Sequence, residues 1–542
     1  MTLFEKASAW YEYHGLFDDA IESALAAKLY ERAMLLIEKF NEMHDLSEMH
    51  TLSRWLENLP QSELLLHPAI CFLFAQIILY SNDRFAPSTA ARLEPYLQAA
   101  ESVWRSQENY SRLGELASFR GTLAWWQSGI EKALEYARRS LELLPESDAL
   151  WRGNSLLVVS QAALDAGRVL EAQDYVLEAR ALSGAAQNIY GVLAAAQILS
   201  EDFYWQGQMD QAELLNRQIL VEAVGDESML DDQGVASLNQ ARIAYERDDL
   251  EQASQDANHA LALGEQRGNQ ALQVQAGIQL AQIHFAKNEP ARALDLLKAP
   301  QVSLQNPLLL RELQDAQALL SIRARETTSL AWWLKINSAQ DPKPLPMQKE
   351  RQEFILARLL IAEGRTEEAL ALLAPWQKDA TVHGRLRSRM EAFCLEALAW
   401  SANPIKAAAA LKQALVIGQA HGFRRIFLDE GSRMAELLQA SLSMPTNRTL
   451  SLYAASLLHS FFPMIQPDLS AGPSTLGLEP LSQQELRVLR LLVAGLSNPA
   501  IAQELVVSTN TIKTQVKSIY HKLNVNSRLQ AREMARELKL LD

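Results

Sequence analysis

The chain has 542 residues, of which 48% are hydrophobic and 21% charged, and its formal net charge at pH 7 is −14. A single hydrophobic core does not extend over this length, so we expect several domains or one elongated repeat array. An acidic chain is unsuited to binding a polyanion over its whole surface, which limits such binding to a local basic region.

Membrane insertion and disulfide bonding are not expected from the sequence. The longest apolar stretch, residues 69–80, is shorter than the roughly 20 residues that a membrane-spanning helix needs. Residues 1–6 enter an amphipathic helical pattern and lack the apolar core of a signal peptide. Cys71 and Cys394 stand far apart, so no disulfide framework is implied. We therefore expect a cytoplasmic protein that does not contact a membrane.

The first 460 residues repeat one pattern: an aromatic or Leu-rich helix, a turn of small or polar residues, and a second helix with Ala near its start. The turns are at Gly15, Gly129, Gly167, Gly207, Asp248-Asp249, Asn288, Gly364 and Asn403. From Gly129 onward they are about 38–42 residues apart, and a degenerate turn near Thr327 divides the one double gap. Helical pairs of fixed period predict an all-α solenoid.

The small residues of this pattern have a physical reason. Gly and Asn tolerate the left-handed conformation that ends a helix, and Ala at the start of the second helix lets two helices approach closely. The pattern resembles tetratricopeptide repeats (TPR) with a longer and looser period. The stretch 30–120 is the least regular, and no turns are assigned there.

Two adjacent tryptophan pairs lie on the predicted helices, Trp125-Trp126 and Trp332-Trp333. Neighbouring helical positions face different ways, so one ring of each pair is a candidate for stacking on an effector at the concave surface of the solenoid. The alternative is packing between helices, which is the more common role of aromatic rings at helical spacing.

Two proline-containing stretches interrupt the helical pattern. Residues 341–346 are predicted to form a loop within the solenoid. Residues 463–480 contain four prolines and two glycines, a composition that resists helix and sheet and predicts an interdomain linker. The predicted organisation is therefore a helical-repeat domain at 1–462, a linker at 463–480 and a C-terminal domain at 481–542.

The C-terminal domain is basic, with nine Lys or Arg against five acids, whereas the rest of the chain has 42 bases and 60 acids. Ser482 and Glu485 form a predicted capping box, and Gly495 ends the helix that it opens. The apolar stripe of this first helix is predicted at Leu486, Leu489, Leu492 and Val493.

Three more helices follow in this domain. Asn498 caps a short second helix, with Pro499 at its first position, and Ser508 caps a third helix over 509–523. Asn526 caps a fourth helix that ends near residue 540. The predicted buried side chains of the second helix are Ile501, Ala502 and Leu505.

The third helix has two different faces. Its core stripe is predicted at Ile512, Val516, Ile519 and Leu523, and its opposite face has Asn510, Lys513, Thr514, Lys517 and His521, with no acid. Two helices joined by a tight turn, the second with a basic face, indicate a helix-turn-helix that enters the major groove of DNA. The alternative is an ordinary solvated helix face.

These residues resemble the LuxR-type helix-turn-helix, a four-helix domain. The motifs that carry the resemblance are Leu481-Ser-x-x-Glu485, residues 488–498, Ile501-Ala502-x-x-Leu505, Ser508-x-x-Thr511-Ile512-Lys513-Thr514, Lys522-Leu523-x-Val525 and Arg528. The resemblance implies base contacts by Lys513, Thr514 and Lys517 and phosphate contacts by Thr509, Asn510 and Thr511. It also places Asn498, Gln515, Lys522 and Arg528 at the DNA interface, although the family usually has His where Gln515 stands. The fourth helix would be a dimerisation surface.

Residues 422–431 resemble the end of the repeat region of large MalT-like activators, and Ala9-Trp10-Tyr11-x-x-x-Gly15 resembles its start. Those activators begin with an ATP-binding domain that contains a Gly-rich phosphate loop. This chain has no Gly-x-x-x-x-Gly-Lys, so no cofactor, and in particular no ATP, is expected. A naturally shortened regulator, a fragment and a misplaced start all remain open.

The leading hypothesis is a transcription regulator whose solenoid senses a small-molecule or protein effector and whose C-terminal domain binds double-stranded promoter DNA as a homodimer, with RNA polymerase as a further partner. The alternative is a TPR-like protein-interaction scaffold with secondary DNA contact. No enzyme is expected, because no nucleophile motif is present and histidines such as His44 and His50 lack metal-ligand spacing. Neither a catalytic nor a metal site is assigned.

Overall fold

The computed structural model describes residues 3–44, 49–81, 87–127, 129–226, 229–298, 304, 306–326, 330–339, 344–442, 447–461, 483–493, 496, 499, 501–502, 505, 509–522, 525, 531 and 535. All regular secondary structure in these residues is helical, as the all-α prediction requires. The chain divides into two compact units, Met1–Pro463 and Met464–Asp542. Predicted features in the linker 463–480 and the loop residues 341–343 lie outside the described residues.

The first unit begins with seven helices that share one core. They are α1 Leu3–Tyr13, α2 Phe17–Ala26, α3 Tyr30–His44, α4 Met49–Glu57, α5 Gln61–Leu64, α6 Pro68–Ser81 and α7 Pro87–Ser106. This is the stretch in which the sequence pattern was least regular. Its core is built around Trp55, Phe72 and Trp104, all nearly fully buried, so large rings replace the small residues of the regular repeats.

Eight successive helical hairpins follow. They are α8 Tyr110–Trp126 with α9 Ile130–Leu143, α10 Ala149–Asp165 with α11 Val169–Ala185, α12 Ile189–Trp205 with α13 Met209–Glu222, α14 Leu230–Glu246 with α15 Leu250–Arg267, α16 Gln270–Ala286 with α17 Pro290–Lys298, α18 Pro307–Arg323 with α19 Ala331–Ala339, α20 Pro346–Ala362 with α21 Thr366–Val382, and α22 Leu386–Ala399 with α23 Pro404–His421. The unit ends with α24 Arg425–Leu428, α25 Ser432–Leu442 and α26 Arg448–Phe461. Most helices that are adjacent in this order pack on one another, which confirms the solenoid.

The predicted turns separate the two helices of each hairpin. Gly167, Gly207 and Gly364 have φ values of 75° to 78°, the left-handed conformation that a helix-ending Gly adopts. Asp248 and Asn288 adopt the same conformation without being Gly, with φ of 68° and 63°. Thr327 itself lies outside the described residues, but the gap between α18 and α19 spans it.

Alanine occupies the start of the second helix in every hairpin that the sequence pattern identified. These residues are at most 1% exposed: Ala20, Ala133, Ala172, Ala212, Ala253, Ala293, Ala369 and Ala407. In three hairpins a serine hydroxyl of the first helix donates to the alanine carbonyl oxygen, as in Ser160 to Ala172 at 2.8 Å and Ser200 to Ala212 at 3.3 Å. The methyl side chain therefore lets the helices approach closely enough for a hydrogen bond between them.

A buried carboxyl group on α12 lacks a hydrogen-bond partner among the described residues. Asp202, on α12, has no exposed surface, and neither carboxylate oxygen has a hydrogen-bond partner within the described protein. Burial and the neighbouring Glu201 charge raise the pKa of Asp202 from 3.8 to about 8. A carboxyl whose folded-state pKa is raised binds a proton more tightly in the folded protein, so folding stability falls as pH rises from about 4 towards 8.

We predict that Asp202→Asn stabilises the solenoid by about 1–3 kcal/mol near pH 8, because it removes an unpaired buried charge while keeping the shape of the side chain. The gain should shrink towards about pH 4, where the folded-state Asp202 is protonated and the unfolded-state carboxyl is about half protonated. Thermal unfolding followed by circular dichroism at both pH values measures this difference. Asp174→Asn, at an exposed position on α11, is the control; an Asp202→Asn effect that does not depend on pH would contradict the account.

Candidate nucleic-acid interface

The C-terminal unit is organised around a small apolar core. Two of its helices are described over their length, α27 Gln483–Val493 and α28 Thr509–Lys522, and residues 499, 501, 502, 531 and 535 are also helical. The core side chains are Val488, Leu489, Leu492, Ile501, Ala502, Ile512, Val516, Ile519, Val525, Ala531 and Ala535. Elements of all four predicted helices therefore contribute to one core.

The predicted core stripe of α28 is confirmed where it is described. Ile512 and Ile519 have no exposed surface and Val516 is 8% exposed, while Leu523 lies outside the described residues. The stripe predicted for α27 was partly wrong. Val488 is fully buried and Leu486 only half-buried, because the buried face passes through positions 485, 488, 489 and 492.

The opposite face of α28 presents its cationic side chains to solvent. Lys513, Thr514 and Lys517 are exposed, and the two lysines are one helical turn apart. Neither lysine forms an ion pair with another described residue. The exposed side of the helix therefore has two positive charges, one above the other along the helix axis. The sequence of α28 contains no acid to neutralise them.

The other predicted DNA-contacting residues are less completely described. Thr509 and Gln515 are half-buried, and Asn510 and Thr511 lie in the first turn of α28, with side chains outside the described set. Asn498 and Arg528, and the face of the fourth helix predicted to dimerise, also lie outside the described residues. Their roles stay predictions.

Lys522 differs from the exposed lysines because it is tied to the first helix. Its Nζ lies 2.9 Å from the Glu485 carboxylate, and the Ser518 hydroxyl donates to the same carboxylate at 2.7 Å. The side chains of Lys522 and Glu485 are only 17% and 9% exposed. Lys522 therefore links α28 to α27, and a DNA phosphate would have to compete with Glu485 for it.

Glu485 was predicted only as a capping residue, and Ser518 was not singled out. Ser482, the other half of that capping box, lies outside the described residues. A signal for the observed link was nevertheless present, because Glu485 is three residues before Val488 and seven before Leu492, on the buried stripe. An acid at a core position requires a partner, and Ser518 and Lys522 stand one turn apart on α28.

The four tryptophans proposed to meet an effector are in different environments. Trp333 has no exposed surface, and its indole Nε1 donates to Asp315 Oδ1 at 2.8 Å, so the structure places it in the core rather than on a surface that a ligand can reach. Trp332 is half-buried. Trp125 and Trp126 are also half-buried, with ring centroids 6.5 Å apart, and pack against two separate apolar clusters.

No group of three or more His, Cys, Asp or Glu side chains in the described part of the chain is arranged to hold a metal ion. None of the helices that the structure describes combines the length and the apolar character needed to cross a lipid bilayer.

We predict that Glu485→Gln weakens the link between α27 and α28 by about 1–3 kcal/mol, because it removes the buried charge that accepts from Ser518 and Lys522. Hydrogen exchange of the full chain, followed by mass spectrometry of peptides covering 485–493 and 509–522, should show faster exchange in both helices. Arg490→Gln, at an exposed position on α27, is the matched control. Unchanged protection in Glu485→Gln would show that the link does not hold α28 in place.

The two units match different family models. Residues 114–443, from α8 into the segment after α25, match the MalT-like TPR region. Residues 479–535, which contain α27 and α28, match the bacterial regulatory proteins of the luxR family. The basic face of α28 therefore lies within the luxR-family match.

Individual relatives extend the likeness over nearly the whole chain. The chain is 25% identical to the HTH-type transcriptional regulator MalT of Vibrio cholerae, over 98% of this chain and 61% of the relative. It is 26% identical to the MalT regulator of Serratia proteamaculans, over 96% of this chain and 60% of the relative. The chain thus spans about three fifths of the length of these relatives.

A solved structure of a quorum sensor, the apo form of NprR from B. thuringiensis, aligns with 75% of the chain at 13% identity, but its TM-score of 0.38 does not establish a common fold. The MalT-like repeat model alone covers more than half of the sequence. The chain therefore belongs to the MalT-like TPR family, and its C-terminal unit carries a luxR-family helix-turn-helix.

Proposed function

We propose that this chain is a DNA-binding transcription regulator in which α28 enters the major groove. The single observation that carries the proposal is the division of α28 into a buried apolar face and an exposed face with Lys513 and Lys517. A helix about 10–12 Å across fits the major groove, where lysine can donate to guanine acceptors and to phosphates.

The small size of this interface determines how tightly one copy can bind DNA. Two exposed lysines give one copy few phosphate contacts, so binding by one copy should be weak and strongly dependent on salt. Pairing of two copies on half-sites about one helical turn apart would raise affinity, and the fourth helix is the proposed dimerisation surface. We further propose that the solenoid binds an effector, that RNA polymerase is the partner at the promoter, and that the protein acts in the cytoplasm without requiring ATP.

The function is tested by selecting binding sites from random DNA with the full chain. Enrichment of a consensus sequence with two related half-sites is the expected result. No enrichment would contradict the regulator and favour the interaction scaffold. The selection should give the same consensus with and without magnesium and ATP.

We predict that Lys513→Ala and Lys517→Ala each weaken binding to the selected site by about 1–3 kcal/mol, or roughly 5- to 150-fold, if they contact bases. A lysine that contacts only phosphate should instead weaken all sequences alike and reduce the salt slope by about 1. Fluorescence anisotropy titrations at several salt concentrations distinguish these cases.

The matched control is Lys412→Ala, an exposed lysine on α23 of the solenoid. Wild-type affinity and an unchanged salt slope in both α28 variants would refute the assignment of this face to DNA.

A further inference from the structure

The C-terminal end of the solenoid contacts its middle. The backbone N–H of Arg424 donates to the carbonyl oxygen of Glu246 at 2.8 Å. Arg385 Nη1 lies 2.5 Å from the Gly167 carbonyl oxygen, and His421 Nδ1 lies 3.0 Å from that of Gly207. Gly167, Gly207 and Glu246 are at the same ends of three successive hairpins. The solenoid therefore closes on itself along a seam between these hairpin ends and residues 385–430.

Alternating charges run along this seam, and we call them the charge chain. Its members in order are Glu246, Arg387, Glu391, Arg358, Glu430, Arg323, Asp429, Arg425 and Asp248. Each consecutive pair is within ion-pair distance, for example 2.6 Å for Arg387–Glu246 and 3.0 Å for Arg425–Asp248. The charge chain begins and ends at one place, the turn between α14 and α15.

The charge chain is largely buried. Glu246, Arg358 and Glu430 have side chains only 2%, 5% and 6% exposed. The Tyr245 hydroxyl adds a hydrogen bond across the seam, to Asp429 at 2.8 Å, and the Tyr204 hydroxyl donates to Glu246 at 3.1 Å on one side of it. The two sides of the seam are thus joined by this buried network of charged and polar groups together with an apolar contact, in which Met209 and Ile243 belong to the same cluster as side chains of α20–α26.

The charged part of the seam makes closure specific but adds little net stability. Transfer of charges out of water costs free energy that their mutual attraction only partly offsets, so a buried ion network adds little net stability. Three members also have a buried atom without a hydrogen-bond partner in the described part of the chain: Glu246 Oε2, Arg323 Nε and Arg425 Nε. Each of these atoms either loses a hydrogen bond on closure or requires a trapped water, and both reduce the gain.

Residues 423–430, which we call the clasp, are attached to α25 and α26 by apolar burial and to the α14/α15 turn by charged and polar groups. Phe423 and Phe427 are fully buried in the apolar cluster that includes Leu438 of α25 and Leu457 of α26. Arg425 and Asp429 point the other way, to Asp248 and Tyr245. Opening of the seam would therefore leave the clasp on α25 and α26 and separate it from the α14/α15 turn.

We propose that the clasp is a reversible conformational switch: it closes the solenoid through the charge chain, and its release exposes the polar ends of the α12/α13 and α14/α15 hairpins. Release separates Tyr245 and Asp248 from their partners on the clasp, Asp429 and Arg425. The clasp is followed in the chain by α25, α26 and the C-terminal unit. The switch does not depend on the proposed DNA contacts, so its test is independent of theirs.

The switch is tested by distance measurement between spin labels on the full chain. Cysteines replace Gln252 and Arg433, exposed residues near the turn and the clasp, while native Cys71 and Cys394 are buried and do not compete for label. The double variant Glu246→Gln with Asp248→Asn, which removes both ends of the charge chain, should shift the distribution to longer distances. An unchanged distribution in a folded double variant would overturn the proposal.

Two controls separate release of the clasp from general loosening. Arg247→Ala removes ion pairs at the adjacent residue that join α13 to α14 and do not cross the seam, so it should leave the distance unchanged. A second label pair, Gln252 with Gln211, stays on one side of the seam and should not respond to the double variant. A longer label distance in either control would show that the solenoid as a whole has loosened, which would overturn the switch.

Hydrogen exchange of the wild-type chain decides the matter if the double variant fails to fold. Peptides covering 423–430 and 242–249 should exchange together, before the amides of α10–α13. In the double variant Gln252→Cys with Arg433→Cys, a bifunctional maleimide that joins the two cysteines should abolish this early exchange. Exchange of both peptides only with the entire solenoid would show that the seam does not open by itself.

Discussion

Close approach of two helices through a single alanine is the constraint on which the repeat unit depends. A methyl side chain at the start of the second helix brings the paired helices near enough for a serine hydroxyl to reach the facing carbonyl oxygen in three hairpins. The left-handed turn then reverses the chain within three residues. Hairpins built in this way stack in succession, and the solenoid coils far enough for Arg385 to reach Gly167, 218 positions earlier.

The first unit therefore combines two kinds of contact with different energetics. Along the coil, apolar burial of Ala and Leu provides stability that rises with each added hairpin. Across the seam, charged groups add specificity, with little net stability of their own, to an apolar contact that includes Met209 and Ile243. Residues 422–431, whose resemblance to MalT-like activators was apparent from the sequence, now have a physical role, because Arg425, Asp429 and Glu430 of this segment are members of the charge chain.

Local features of the fold could be predicted from the sequence, whereas contacts between distant residues could not. The turns at Gly167 and Gly207 and the core stripe of α28 follow from residue type and helical period. Trp333 is buried with its indole N–H bonded to Asp315, and the buried Glu246 carboxylate is paired with Arg387, 141 residues later. No periodic signal marks such pairs. The stripe of α27 was misassigned for a related reason: Glu485 is a core residue only because Ser518 and Lys522 accompany it.

The two faces of α28 connect the fold of the C-terminal unit to its proposed role. The helix buries Ile512 and Ile519 on one side and presents Lys513 and Lys517 to solvent on the other. Methylation protection on a selected DNA site tests this arrangement most directly, because dimethyl sulfate reacts at guanine N7 in the major groove. The account predicts protection of guanines within each half-site by the full chain, and loss of that protection in Lys513→Ala with Lys517→Ala. Tight binding with every guanine N7 still reactive would contradict it.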